Sequence, residues 1–523
     1  MRRWAAAGAT ILACALSAAP AAAQVLAPAA REVLVVRVTG WTLERFLADP
    51  TLAGLAAAGG AVLLPGPGAL GAAAEGGEPG ARVRELLGAT EAERVLVVVA
   101  SVSDPGGTRL VPVVLAEGAP ADLLAASGPA RSLRSDATHR IGVATADDLA
   151  AAIGSFRDGG SAFDAGLAVV DDAPPVALER RFRERAATEL PLEGTVALLV
   201  TAVALLSLVL LARGRGPRRL LDALAWSALA VPGLALSLLL VGHLPSLVLA
   251  VVAPAVAVGT AAVIGIGTRA GDRAPSRIGW IVLGGLAVEA ATGWDGAVLP
   301  LLGGSQLDGA RFYGLPNAFI GLLVGAALYA AWRLPRGTGT ALVAATAVVA
   351  GFPGLGSNFG GAITASFAAG AWWAVRGDDG VSPCALMTGL GAAIVGAVVV
   401  ALAHAVWPEP THITAAVRGG DLLGTYLHRL GIALRILREQ PLTFIPALGA
   451  PVLLGVALRP PAALRRGFAA AQGAREVVVV AAAAGVIAFL VNDSGASAAG
   501  LAFGLGLALA LWASLRATAD GSP

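Results

Sequence analysis

The sequence predicts an α-helical polytopic membrane bundle of about eleven spans, preceded by an extracytoplasmic α/β domain. Three observations carry this. Apolar residues make up 56% of the 523 residues and charged residues only 14%, where a water-facing surface normally brings the charged share to about 25%. Mean hydropathy is +0.76. Apolar runs of about 17–22 residues, long enough to cross a hydrocarbon core, recur from Leu192 onward, whereas residues 24–190 contain none.

The N-terminus reads Met1-Arg2-Arg3, an apolar stretch, then Ala21-Ala22-Ala23 before Gln24. A basic start, a short apolar core and small residues at the end mark residues 1–23 as a secretory signal peptide. An uncleaved first helix, or a lipoprotein acylated at Cys14, are the alternative readings. Cys14 and Cys384 are the two cysteines, too few for a disulfide framework or a cysteine metal cluster. The net charge of +2 gives no case for nucleic-acid binding. All basic residues are arginine, which with the alanine and glycine load matches the codon bias of a GC-rich bacterium. No cofactor motif is visible: there is no P-loop, GxSxG, CxxC or HExxH, and the histidines show no metal-ligand spacing.

In the exported domain, Val33–Val38 reads as a buried strand, Leu47–Ala58 as a helix and Ala61–Leu64 as a strand. Arg94–Ala100 and Leu110–Leu115 are further strands, and Ala146–Ile153 and Leu167–Val170 continue the alternation. Strands separated by helical patterns predict a mostly parallel sheet. Leu178–Glu189 reads as a charged helix leading to the membrane.

The bundle occupies residues 191–516, with spans near 193–212, 220–241, 245–267, 278–294, 313–332, 338–352, 360–375, 384–407, 442–458, 476–491 and 497–515, and a cytoplasmic tail over 517–523. The sixth and seventh spans are short and glycine-interrupted, which suits broken or re-entrant helices. With the first domain exported, arginines cluster in the predicted inner loops, as the positive-inside rule requires for a multi-pass protein of the bacterial inner membrane with its C-terminus cytoplasmic. The exception is the outer segment 421–440, where Leu423, Tyr426, Leu427, Leu430, Leu434 and Leu437 recur at helical spacing. It reads as an amphipathic helix on the outer leaflet or as a helix packed over the bundle.

Polar groups in lipid are costly, so their placement is informative. The candidate substrate-binding residues lie at predicted outer ends: Glu289 and Asp295, then Asp308, Arg311, Tyr313 and Asn317, then Asn358, then Asn492 and Asp493. Glu289 needs a partner within its span, and Arg311 is the candidate. A structural Glu–Arg pair and a substrate site are both consistent with that pairing. The glycine-rich stretch Gly351–Gly361 around Asn358 could present backbone N–H groups to an anion. Broken helices meeting at one depth are how transporters build binding sites.

Val33–Val38 followed by Asp49-Pro50-Thr51-Leu52-Ala53-Gly54-Leu55 and then Ala61–Leu64 resembles the opening of the alkaline phosphatase superfamily, over roughly the first forty residues of the domain. Thr39 stands where that family carries a metal-binding Asp, and Ser101-Val102-Ser103-Asp104 offers no Asp-His-Gly ligand motif. The resemblance therefore implies a degenerate, non-catalytic domain without metal, since a two-metal phosphatase needs those ligands. The whole layout resembles a class of uncharacterised bacterial membrane proteins in which such a domain precedes a bundle with motifs like Arg311–Asn317, Gly356–Gly361 and Val491–Gly495. That resemblance implies architecture alone.

The expectation is an outward-facing polar cavity that transports or handles an anionic envelope lipid or lipid-linked glycan precursor, with the bilayer as partner. An outer-leaflet phosphoryl- or glycosyltransferase, drawing its acid, base or metal ligand from Asp295, Asp308 or Asp493, is the second reading. A scaffold acting through the phosphatase-like domain is the third.

Overall fold

The computed structural model describes residues 31–38, 41–65, 79–101, 110–135, 140–141, 143–144, 146–164, 167–172, 174–177, 179–180, 204–240, 273–291, 314–377, 380–407, 427, 430–431, 434, 438, 444–492 and 495–520. The chain divides into two compact units, Met1–Thr188 and Glu189–Pro523.

The first unit runs β1 (Arg31–Val38), α1 (Leu43–Ala48), α2 (Pro50–Ala58), β2 (Gly60–Pro65), α3 (Pro79–Ala89), β3 (Arg94–Ser101), β4 (Leu110–Gly118), α4 (Pro120–Ala125), β5 (Ser132–Ser135), β6 (Arg140–Ile141), α5 (Ala146–Arg157) and β7 (Leu167–Val170). The strands form one sheet in the order β1-β3-β4-β2-β5-β6, with β7 also paired to β5. Arg94–Ser101 is buried at every position after its first, as a near-continuous apolar strand with both faces covered must be. On one face Leu96, Val98, Leu133, Leu149, Ile153 and Phe156 form a single apolar cluster.

The sheet is mixed, not mostly parallel. β1–β3 and β2–β5 are parallel, but β3–β4, β2–β4, β5–β6 and β5–β7 are antiparallel. Only residues 102–109 join β3 to β4, too few for a helical crossover, so the two strands must fold back on each other. The helix expected over Leu47–Ala58 is two helices. Asp49, extended at φ −81° and ψ 120°, ends α1 and caps α2, accepting from the N–H groups of Thr51 at 2.9 Å and Leu52 at 3.2 Å. Pro50 then occupies the first turn, where its missing N–H costs nothing and the residue before it is pushed out of the helical region.

At the end of this unit Glu179 is 2% exposed, and its Oε2 accepts from the N–H of Leu43 at 3.0 Å. That N–H opens α1, where no intrahelical acceptor exists. Glu179 thus ties the last described segment of the unit to its first helix. The rest of the helix expected over Leu178–Glu189 lies outside the described residues.

The second unit contains α6 (Ala204–Arg213), α7 (Arg218–Leu240), α8 (Ala274–Ala291), α9 (Asn317–Ala331), α10 (Arg336–Gly351), α11 (Phe359–Val375), α12 (Pro383–Val406), α13 (Phe444–Leu458), α14 (Ala462–Ala470), α15 (Ala474–Val491) and α16 (Gly495–Ala519). Every residue of α9 is buried, the mark of a helix apolar all round and enclosed by others. It packs against α8, α10, α11, α15 and α16. Tyr329, fully buried in α9, donates its hydroxyl to the carbonyl of Leu505 in α16 at 2.6 Å.

Pro383–Val406, Ala474–Val491 and Ala498–Ala519 are long and apolar enough to cross a membrane, and Ala204–Arg213, Asn317–Ala331, Phe359–Val375 and Leu448–Leu458 are shorter apolar helices. The expected count of eleven is not established by these helices, and the third expected span, 245–267, lies outside the described residues. The sixth and seventh correspond to α10 and α11, which are continuous helices linking the two ends of the unit rather than broken ones. α12 leaves a row of large apolar side chains uncovered by the described residues, with Ile394 68% and Val406 82% exposed. Apolar area left in water forgoes about 25 cal/mol per Å², so such a row suits a lipid-facing helix. Of the segment 421–440, Leu427, Leu430, Gly431, Leu434 and Arg438 are described and helical, and Leu427 and Leu434, seven residues apart on one face, are exposed.

The Glu179 tie yields a first test. Glu179→Ala removes a buried acceptor worth about 1–3 kcal/mol. Hydrogen exchange should accelerate by about tenfold across residues 43–48 while β3 stays protected; unchanged exchange in α1 would show that the tie does not hold it.

Candidate functional site

The two ends of the bundle differ in chemistry. At one end, arginines open or close most helices: Arg218 and Arg219 in α7, Arg277 in α8, Arg336 in α10, Arg376 after α11, Arg475 in α15 and Arg516 in α16. They bind helix ends to one another. The Arg336 Nε donates to the carbonyl of Trp373 at 2.8 Å, and Arg475 donates to those of Ala457 at 3.0 Å and Leu458 at 2.8 Å. Arg218 meets Asp520 at 3.3 Å. Four arginines also lie over tryptophan rings, Arg333 over Trp332, Arg336 over Trp373, Arg376 over Trp372 and Arg516 over Trp512, at 3.9–5.6 Å from the centroids. This cation–π geometry keeps a charge beside an apolar ring.

The opposite end holds the candidate residues. Asn358, fully buried, is the N-cap of α11: its Oδ1 accepts from the Gly361 N–H at 2.8 Å. Its Nδ2 donates to the carbonyl of Leu315 at 2.9 Å and to Oδ1 of Asn317 at 2.7 Å. One amide therefore joins the start of α11 to the start of α9. Asn492, at the end of α15, donates to the Ala488 carbonyl at 2.9 Å. Its Oδ1 lies against Gly360, where any side chain would collide with it. Three of the candidate asparagines thus converge on the first turn of α11.

The turn from α10 into α11 fixes this meeting. The Leu315 N–H donates to Gly356 at 2.8 Å, Ser357 to Phe352 at 3.0 Å and Asn358 to Ala350 at 2.7 Å. Gly314 has φ +73° and lies against Gly356, a place closed to a side chain on both counts. Ser357, buried, has φ 47° without being glycine. This is a left-handed conformation that costs about 1–3 kcal/mol and persists only where surrounding contacts impose it. The N–H groups of residues 355, 357, 358 and 361 are all committed inside the fold. The glycine-rich stretch is accordingly a locked turn, and those four donors do not form an anion nest.

Glu289, 5% exposed, lies on α8. A side chain at Gly279 would collide with Ala326 and Ala330 of α9, and Ser276 donates to the Ala330 carbonyl at 3.2 Å. The two helices run antiparallel. Ten residues beyond Gly279, about 15 Å at helical rise, Glu289 reaches the level where α9 begins, the same end as the asparagines. Asp295, Asp308, Arg311, Tyr313 and Asp493 lie outside the described residues, as does the expected Glu289–Arg311 pair.

Two further contacts complete this end. His404, fully buried near the end of α12, places Nε2 2.9 Å from the Gly351 carbonyl. Phe352 and Trp407 meet edge to face at 5.2 Å. Neither pairing has a local signal, because each joins residues more than fifty positions apart. Asparagine amides donate and accept but do not titrate, so among the described residues at this end Glu289 and His404 are the side chains that can exchange a proton. No group of metal-ligating side chains occurs among the described residues.

Comparison with protein-family models, with curated proteins and with solved structures finds no match.

Asn358 carries the most connections. Asn358→Ala should cost about 3 kcal/mol, combining a lost cap with two orphaned buried acceptors. Asn358→Ser, which still caps Gly361, should fall between it and the parent. Thermal unfolding of the purified chain in detergent reads this order; equal melting temperatures for all three would remove the amide from its joining role.

Proposed function

We propose that this chain is a polytopic membrane protein of the bacterial envelope, about eleven spans in all, whose asparagine-lined end faces outward and handles an anionic envelope lipid or lipid-linked glycan precursor. The observation that carries this reading is the separation of arginine from buried amide and carboxylate along one bundle. Arginines gather on the cytoplasmic side of membrane proteins, and stacked Arg–Trp pairs at that end suit an interfacial belt. Buried polar residues gathered at the other end mark a functional site more often than a packing accident. The exposed apolar row of α12 suits lipid contact, and the exposed Leu427 and Leu434 suit a helix resting on the outer leaflet. The strand–helix–strand opening of the first unit supports a degenerate alkaline-phosphatase-like domain that binds rather than cleaves.

Orientation and activity are tested separately. Cys384 is exposed at the arginine end of α12. In a Cys14→Ser background, an impermeant maleimide should label it only after spheroplasts are permeabilised; labelling of intact spheroplasts would reverse the orientation. For activity, vesicles containing the protein should move a fluorescent polyprenyl phosphate between leaflets faster than protein-free vesicles. In the expected Glu289–Arg311 pair the carboxylate holds the guanidinium that meets the anion, so Glu289→Gln should slow that movement by about tenfold, the scale of one charged hydrogen bond. Movement no faster than in protein-free vesicles would refute lipid handling.

A further inference from the structure

The short helix α14 lies at the arginine end, between α13 and α15. Gly467 packs against Ser514 of α16 and Phe468 is buried, while Arg465 and Arg466 on the same two turns are exposed. Between α14 and the first turn of α15 opens a pocket of about 650 Å³, lined among others by Pro460, Arg465, Phe468, Gln472, Arg475 and Glu476. Its volume suits a small ligand or a headgroup. One wall is pinned from outside, because the indole N–H of Trp332 donates to the Gln472 carbonyl at 2.7 Å.

The lining specifies charge chemistry. A guanidinium has five N–H donors. Arg475 uses two of them on the carbonyls of Ala457 and Leu458, which fixes its plane and leaves three. Arg465 makes no ion pair among the described residues. Two guanidiniums, one preorganised, line the same pocket, and guanidinium is the side-chain group whose fork of donors suits a phosphate. Glu476 adds a carboxylate to the same wall, against which a purely anionic group would be repelled. A ligand carrying an ammonium next to its phosphate offers a group of opposite charge to each of the three. Pro460 and Phe468 supply apolar surface beside them.

We propose that the pocket between α14 and α15 binds a phosphate headgroup that also carries an ammonium, of the phosphoethanolamine class, with Arg465 and Arg475 on the phosphate and Glu476 on the ammonium. The lipid as source rests on the membrane reading above; the headgroup chemistry does not. The full chain in nanodiscs of equal phosphatidylethanolamine, phosphatidylglycerol and phosphatidylcholine, examined by native mass spectrometry, should retain phosphatidylethanolamine about tenfold over the others. Arg465→Ala, an exposed position that should leave the melting temperature unchanged, should lose that binding about tenfold. Glu476→Gln should erase the preference over phosphatidylglycerol while binding of the latter persists. In lipid-free detergent, glycerophosphoethanolamine binding that Arg465→Ala abolishes would support the site with a free headgroup as ligand. Binding confined to nanodiscs would support it with the lipid as ligand. Equal retention of the three lipids by the parent chain together with no glycerophosphoethanolamine binding, or Arg465→Ala behaving as the parent in both arms, overturns the proposal. The detergent arm reports on the pocket regardless of which way the bundle faces or what its asparagine end does.

Discussion

Complete burial of α9 is the constraint on which the second unit depends. A fifteen-residue helix with every side chain enclosed has no face to give to solvent or lipid, so its neighbours must approach on all sides. They do so through small residues. Gly279 of α8 lies against Ala326 and Ala330, and Gly321 of α9 itself lies against Ala498 and Ala502 of α16. In an apolar medium helices gain little from the hydrophobic effect, and association comes instead from close backbone packing and interhelical hydrogen bonds. Tyr329 and Trp332 provide those bonds near one end of α9, to the carbonyls of Leu505 and Gln472. Asn317 provides one at the other.

The difference between the bundle's ends follows from how each satisfies its helix termini. A helix leaves about four carbonyls unpaired at its C-terminus and four N–H groups at its N-terminus. At the arginine end, guanidiniums donate to C-terminal carbonyls: Arg475 to the end of α13 and Arg336 to the end of α11. Cations there also complement the helix dipole. At the opposite end the work falls to neutral amides, with Asn358 serving an N-terminus and a carbonyl at once. An amide can be fully buried without the desolvation cost of a charge, so the turn around Asn358 can be enclosed and locked.

Much of the arrangement was legible in the sequence. The expected spans near 338–352, 360–375, 384–407 and 476–491 fall within two residues of α10, α11, α12 and α15 at both ends. Apolar run length is a strong local signal, and glycine, proline and arginine punctuate it sharply. The first unit was harder to read. Its sheet is mixed where the alternation of strands and helices predicts a mostly parallel one, because strand direction depends on connection length and partner choice, which composition does not encode. The two short strands β5 and β6, of four and two residues, carry too few positions for a period to register. α14 has no spanning signature in the sequence, since its nine residues, Ala462–Ala470, hold two arginines and lack a long apolar run. Asn358 was singled out as a polar residue in a glycine-rich stretch, but its actual partners, Leu315 and Asn317, lie more than forty residues away, beyond any local pattern.

The locked turn at Ser357 bears on what Glu289 can do. With the asparagines occupied by one another and by backbone carbonyls, they hold α9, α11 and α15 at fixed spacing rather than offering free groups to a ligand. Fixed spacing is what a buried carboxylate on a neighbouring helix requires if its surroundings are to be reproducible, because a charge in a low-dielectric setting depends steeply on the distance to each partner. The amides therefore belong to the scaffold of this end, with Glu289 the buried carboxylate beside it. The strain at Ser357 fits the same division, since a conformation costing about 1–3 kcal/mol is retained where it fixes neighbouring elements at a defined separation.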